Sequence, residues 1–405
     1  MIIEALRREG RIAFARFMEM ALFAPNMGYY TRPRDAMETS DYYTSPGAHP
    51  LFGALVALQL EQVWRLSGEA RPFWAIELGA GSGLLSRYIQ NFAPNLSEAF
   101  RKALSFVVVD VHQNRSQLSR LDDLQWSWSN SVPFQKVKGC LVCNELLDCF
   151  PVHRVAMMQG KLREVYVAFR SGKFAEELDE PSTPLIEERL EEEGVLLDEG
   201  QYAEVNLLIR PWIESAWTAL DCGVVLIFDY GDLASEMYLP RRRQGTITAY
   251  YRHVQSDDLY TRIGRQDMTS HVDFSAVISA AKQCGFHIAG FASQREFLLN
   301  LGFSSFLRDL SGLGLSQNLY DANRMGMMDL VKPDGLGSFK VLALSKGMPE
   351  AALHGFTRPN SLNLAQNTHT PLLTEEHFSL LKAKYPHLAW DWETLWQAQG
   401  SKKST

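Results

Sequence analysis

Residues 73–88 read FWAIELGAGSGLLSRY. Trp74, Ala75, Ile76 and Leu78 form a short apolar run, which predicts a buried strand. Glu77 interrupts it two residues before the first glycine. Gly79, Ala80, Gly81 and Gly83 then make a turn, and Leu84 to Gln90 reads as a helix. Glycines permit positive φ and let a backbone come close to a ligand. The helix start offers unpaired N–H groups and the positive end of a dipole. A small polar molecule, part of it anionic, is therefore expected over this turn.

Two details narrow the choice. The glycine spacing is G-x-G-x-G, whereas the dinucleotide fingerprint is G-x-G-x-x-G, which argues against a nicotinamide-linked oxidoreductase. The strand also ends on an acid. The pattern E-x-G-x-G-x-G, residues 77–83, resembles motif I of class I S-adenosylmethionine-dependent methyltransferases, where the acid faces the ammonium of the cofactor's methionine end.

Outward from this motif the chain alternates apolar runs and helical stretches. Phe106 to Val109 reads as the second parallel strand and ends on Asp110, placed to accept both ribose hydroxyls of an adenosine. Gly139 to Cys143 is the next strand and runs into Asn144, Glu145, Leu146, Leu147 and Asp148. Ligands of open α/β sheets bind beyond the carboxyl ends of the strands, so these polar residues are expected at the chemistry. Gly223 to Phe228 is the most strand-like run and precedes Asp229, Tyr230 and Gly231. Phe286 to Ala292 and Phe339 to Leu344 read as the last two strands.

Ahead of the motif, Ile12 to Ala24 repeats apolar residues on one helical face. An irregular, tyrosine-rich segment (26–50) follows, of a length that suits a lid. Leu51 to Leu66 is an apolar helix. Pro151 to Ala175 alternates and turns like a β-meander. Leu185 to Glu193 and Gln201 to Leu220 read as helices, the first with a solvated acidic face. Residues 232–270 form a polar excursion rich in arginine, which either meets an acidic partner or is scattered surface charge. Asp273 caps a helix that Gly285 ends. The chain divides into an N-terminal lid segment (1–66), a core (67–346) with insertions at about 151–200, 232–270 and 293–335, and a C-terminal extension (347–405). The extension holds one helix, Glu375 to Lys384, capped by Thr374.

The chain has 405 residues, 46% hydrophobic and 21% charged, with a net charge of −7. That charge gives no general nucleic-acid footprint. No run approaches the ~18 apolar residues of a membrane span, and no signal pattern opens the chain. Cys140 and Cys143 form a C-x-x-C inside an apolar run, without the second pair or histidines that zinc needs. Core thiols, no metal and a reducing, cytoplasmic setting are the expectation.

With these stretches placed, the chain resembles the MidA family of class I methyltransferases, which includes mitochondrial protein arginine methyltransferases of respiratory complex I assembly. The resemblance rests on GRIAFARFMEMALFAPNMGYY (10–30), SDYYTSPGAHPLFG (40–53), AIELGAGSG (75–83), CNELLDCFPVHR (143–154), LREVYV (162–167), FDYG (228–231), GTITAYYRH (245–253) and DMTSHVDFS (267–275). Asp110 stands where the family usually has Glu, and SDY at 40–42 where it has GDF. The resemblance implies a Rossmann-like fold with a seven-stranded, mostly parallel sheet, helical insertions and an added β-meander. It implies S-adenosyl-L-methionine as methyl donor and S-adenosyl-L-homocysteine as product. Glu77, Gly79, Ala80, Gly81, Gly83, Asp110 and Asn144 would hold the cofactor. Glu145 and Asp148, oriented by Asn144, would bind a cationic acceptor, possible because carboxylates pair with arginine bidentately. Tyr43, Thr44, Ser45 and His49 are the lid residues. A protein acceptor, such as a respiratory-complex subunit, follows by resemblance only. A cofactor-bound assembly factor with little turnover, and methylation of a small molecule or a glutamine amide, stand as alternatives.

Overall fold

The computed structural model describes residues 1–33, 43–111, 124–252, 254–348, 351–357 and 369–385. Residues 40–42, His253 and 400–405 lie outside them. The centre is a seven-stranded sheet: β1 (Phe73–Leu78), β2 (Leu104–Asp110), β3 (Gln125–Trp128), β4 (Val137–Asn144), β5 (Leu220–Asp229), β6 (His287–Ser293) and β7 (Lys340–Lys346). Their order is β6-β7-β5-β4-β1-β2-β3. The pairs from β3 to β5 are parallel, and β7 runs antiparallel to both neighbours.

Both faces of this sheet are covered, which explains why its strands are near-continuous apolar runs. Side chains alternate between faces with period two. Ala75, Cys140, Val142, Leu226 and Phe228 pack under the Leu51–Leu66 helix and the helices of residues 294–330. Ile76, Leu78, Leu141, Cys143, Val225 and Ile227 pack under the Ile209–Ala219 and Phe274–Cys284 helices. Cys140 and Cys143 thus face opposite layers, three residues apart on one strand, and cannot share a ligand. All five cysteines are free.

The meander is part of a five-stranded antiparallel sheet. His153–Met158, Lys161–Arg170 and Lys173–Asp179 are joined by Arg11–Ala13 and Tyr202–Val205. This corrects two helix boundaries. The N-terminal helix starts at Phe14, because Arg11–Ala13 pairs with the meander. The helix expected from Gln201 starts only at Ile209, because Tyr202–Val205 completes the sheet edge. Pro211 sits in the first turn of that shorter helix, where its missing N–H leaves no bond unmade; in the middle of a helix from Gln201 it would break the ladder.

The excursion at 232–270 carries a small sheet of Thr248–Tyr251, Val254–Ser256 and Asp267–Thr269. The C-terminal helix Glu375–Lys384 lies against the short Ser45–Ala48 turn of the N-terminal segment. No helix among the described residues is long and apolar enough to cross a membrane.

Candidate active site

The strand order reverses between β1 and β4, with β2 on one side and β5 on the other. Such switch points leave a crevice at the carboxyl ends of the strands. A cleft of about 2000 Å³ opens there.

One end of the cleft is built on the glycine turn. Gly79, Gly81 and Gly83 have φ of 69°, 54° and 70°, a region open to glycine at little cost. The N–H groups of Gly79 and Ala80 donate to Val109 O at 2.9 and 3.2 Å, which ties the turn to the end of β2. A Cβ on Gly79 would stand 2.7 Å from Leu146 Cδ1, so this glycine also lets the β1 and β4 turns meet. A Cβ on Gly81 would meet nothing within 4 Å. Gly81 N–H donates to Asp110 Oδ2 at 2.7 Å, so the Asp110 carboxylate is held beside the turn.

Glu77 is buried at the end of β1 and lines the cleft. Its Oε2 accepts from Ser86 N–H at 3.0 Å and from Ser86 Oγ at 2.6 Å. One orphan donor of the following helix is thereby satisfied. Burial nonetheless pushes the Glu77 carboxyl up to about 7. A buried acid in that state gains from a cationic partner. Asn144 Oδ1 is also buried and without a partner among the described residues, while its Nδ2 donates to Glu145 Oε1 at 2.9 Å. These donors, acceptors and open glycines fit a nucleoside with an amino-acid tail.

The other end is a wall of carboxyl groups. Glu145 and Asp148 come from the turn after β4 and Asp267 from the excursion; Asp229, at the end of β5, is wholly buried behind that turn and does not line the cleft. Among the described residues, Glu145, Asp148 and Asp229 pair with no Lys or Arg. Burial, and then the charge of Asp148, push Glu145 up to about 8. Burial also raises Asp148 and Asp229. Tyr230 OH donates to Asp148 Oδ2 at 2.5 Å, and Tyr30 OH to Asp267 Oδ2 at 2.5 Å. Asp148 Oδ1 is buried without a partner among the described residues. Burial and the nearby Asp148, Asp267 and Glu145 raise the Tyr250 phenol, which lines the same wall.

The lid residues divide. Tyr43 and Thr44 line the cleft. Tyr43 OH donates to Asp329 Oδ2 at 2.8 Å, and Lys384 Nζ lies 3.6 Å from the Tyr43 ring centroid. Thr44 caps the Ser45–Ala48 turn. Ser45 is buried, and its Oγ donates to Gln294 Oε1 at 2.9 Å. His49 is fully buried and does not line the cleft. Its Nδ1 accepts from Leu51 N–H at 3.0 Å, so its Nε2 proton faces Asn323 Oδ1 at 3.3 Å. Burial lowers its pKa to about 3. It fastens the lid to the Gln317–Leu330 helix and stays neutral.

The sequence reading left Asp229, Tyr230, Asp267 and Tyr30 without roles. Asp229 and Tyr230 carry the same signal as Asn144 to Asp148, polar residues directly after an apolar strand. Asp267 and Tyr30 carry no local signal; only the fold brings them to the wall.

The family model described as "Putative S-adenosyl-L-methionine-dependent methyltransferase" matches residues 55–292, over half of the chain. The chain belongs to the MidA family of S-adenosyl-L-methionine-dependent methyltransferases. This MidA-family chain is 27% identical to the mitochondrial protein arginine methyltransferase NDUFAF7 homologue of Drosophila melanogaster over 379 residues, covering 85% of this chain and 84% of that protein. It is 26% identical to the NDUFAF7 protein of Rattus norvegicus, covering 86% and 84%. Among solved structures it is similar to a Burkholderia thailandensis protein bound to S-adenosyl-homocysteine. The TM-score is 0.77 at 29% identity, covering 88% of this chain and 93% of that one.

Proposed function

We propose that this methyltransferase transfers the methyl group of S-adenosyl-L-methionine to an arginine side chain of a partner protein. The observation that carries this reading is the carboxylate wall, where the part-buried Glu145 and the buried Asp148 line the cleft with no Lys or Arg partner among the described residues. Buried, unpaired acids are costly, and a guanidinium is the planar cation that pairs best with them. The arginine-methyltransferase names of the relatives point the same way.

When bound, the cofactor supplies an electrophilic methyl on a sulfonium. Glu77 would accept its ammonium, Asp110 its ribose hydroxyls, and the open face of Gly81 would let it approach the backbone. Glu145 and Asp148 would grip the acceptor and concentrate electron density on the attacking nitrogen. As the N–C bond forms and the S–C bond breaks, the guanidinium gives up one proton. The bound guanidinium favours the ionised form of Glu145, and that carboxylate is suited to take the proton. The chain otherwise acts by alignment, which is a large part of such a barrier.

The test is to incubate the protein with methyl-labelled S-adenosyl-L-methionine and a cell lysate, then hydrolyse the labelled proteins. Nω-methylarginine is the expected product. Label confined to other amino acids or to small molecules, or no label above background, would overturn the reading.

A further inference from the structure

Glu145 and Asp148 stand on a turn that does not hold its own shape. Glu145 has φ 52°, a left-handed conformation that costs a non-glycine residue energy and persists only when its surroundings impose it. The end of β5 imposes it. Phe228 O takes the Glu145 N–H at 2.8 Å. Asp229 Oδ2 takes the Leu146 and Leu147 N–H groups at 3.2 and 2.9 Å. Asp229 Oδ1 takes the N–H of Tyr230 at 2.9 Å. Asp229 is wholly buried, so its role is inward, toward that turn.

The next residue acts on the other carboxylate. The Tyr230 ring is wedged between Phe339 and His271, at centroid distances of 5.3 and 5.5 Å. This fixes the direction of its hydroxyl, which reaches Asp148 Oδ2 at 2.5 Å. The second oxygen of Asp148 has no protein partner among the described residues.

We infer that Asp229 and Tyr230 are the positioning residues of the acceptor site. Asp229 holds the strained turn that presents Glu145, and Tyr230 turns Asp148 so that its second oxygen is left for the acceptor cation. This rests on the reading of Glu145 and Asp148 as acceptor-binding groups, and the experiment separates the two.

The experiment is steady-state methylation of a peptide spanning the arginine labelled in the lysate, with S-adenosyl-homocysteine binding measured in parallel. Tyr230→Phe removes one hydrogen bond to the charged form of Asp148, which raises its pKa. The acidic limb of kcat/KM is expected to move up by about half a unit to one unit. KM for the peptide should rise about tenfold, with cofactor affinity within about twofold. Asp229→Asn should cut kcat by about tenfold in the native protein and by less than about twofold in a Glu145→Gln background, because groups acting as one unit are not additive. If Asp148→Asn leaves methylation unchanged, the acceptor reading itself fails. If Asp148→Asn impairs methylation while Tyr230→Phe keeps the native KM and pH limb, Tyr230 has no positioning role. If Asp229→Asn loses activity equally in both backgrounds, or loses it with the melting transition, its part is structural and the inference is overturned.

Discussion

The two ends of the cleft are built on opposite plans. The cofactor end comes from one contiguous stretch, Glu77 to Gly83, with Asp110 brought beside it by the neighbouring strand. Its hydrogen bonds run within the turn and its helix, or to the end of the adjacent strand β2. The proposed acceptor end draws Glu145 and Asp148 from one strand end, Tyr230 from the next, Asp267 from an excursion and Tyr30 from the N-terminal segment, with Asp229 bracing the first turn from behind. Residues of the N-terminal segment and of the C-terminal helix, Tyr43, Thr44 and Lys384 among them, line the same cleft. Tyr43 OH, Lys384 Nζ and Tyr385 OH all converge on Asp329. The first plan lets a common donor be held by a few fixed groups. The second lets the acceptor wall change without disturbing the donor site.

That difference can be broken most sharply at Gly81. Gly81→Trp puts a bulky side chain into the cofactor end at a position with φ 54°. Calorimetry should show the affinity for S-adenosyl-homocysteine falling by roughly 100-fold or more, with the melting temperature lowered by only a few degrees through the left-handed backbone. Native affinity would remove the turn from the cofactor site. Glu145→Gln probes the other end. Transfer should fall by about two to three orders of magnitude, while S-adenosyl-homocysteine binds as before. Loss of both together would mean that the two ends are not separable.

How much of this was legible follows from the same contrast. The glycine turn, Asp110 and the polar residues after β4 announce themselves because strand, turn and helix are adjacent in sequence. His49 shares its stretch with Thr44 and Ser45, and the sequence left it open between a lid group and a packed histidine; its ring is consumed by Leu51 N–H and Asn323. Which face of a short turn is buried depends on the Gln317–Leu330 and Glu375–Lys384 helices, far away in the chain. Asp267 is invisible for the same reason. The strand at Tyr202–Val205 was hidden because a helical pattern continued across it, and Pro211 was the one residue that argued otherwise.

Smaller effects sharpen the comparison. Asp329→Asn loosens Tyr43, Lys384 and Tyr385 together. It should raise KM for the peptide acceptor by about threefold to tenfold, with cofactor affinity affected less; the reverse order would place the lid over the donor. The Glu77 and Glu145 carboxyls supply the smallest signal. Both are raised from the ordinary 4.5, to about 7 and about 8. Their folded forms therefore hold protons more tightly than the unfolded chain. Their stabilising contribution is full below pH 4.5 and is lost as pH rises through 7 and 8. Glu145→Gln should consequently gain about 2 °C in melting temperature over the native protein between pH 5 and pH 8.5. A cationic ligand restores the charged form of Glu77, so binding S-adenosyl-L-methionine at pH 6.5 should release protons, which titrations in buffers of different ionisation heat would count. A constant melting gap or proton uptake would mean these acids are already compensated.

The most direct test is a crystal structure with S-adenosyl-homocysteine and an arginine peptide bound together. The account predicts the sulfur between the glycine turn and the guanidinium, and the guanidinium within hydrogen-bonding distance of Glu145 and Asp148. A guanidinium seated elsewhere while the carboxylate wall faces solvent or a neutral group would contradict it.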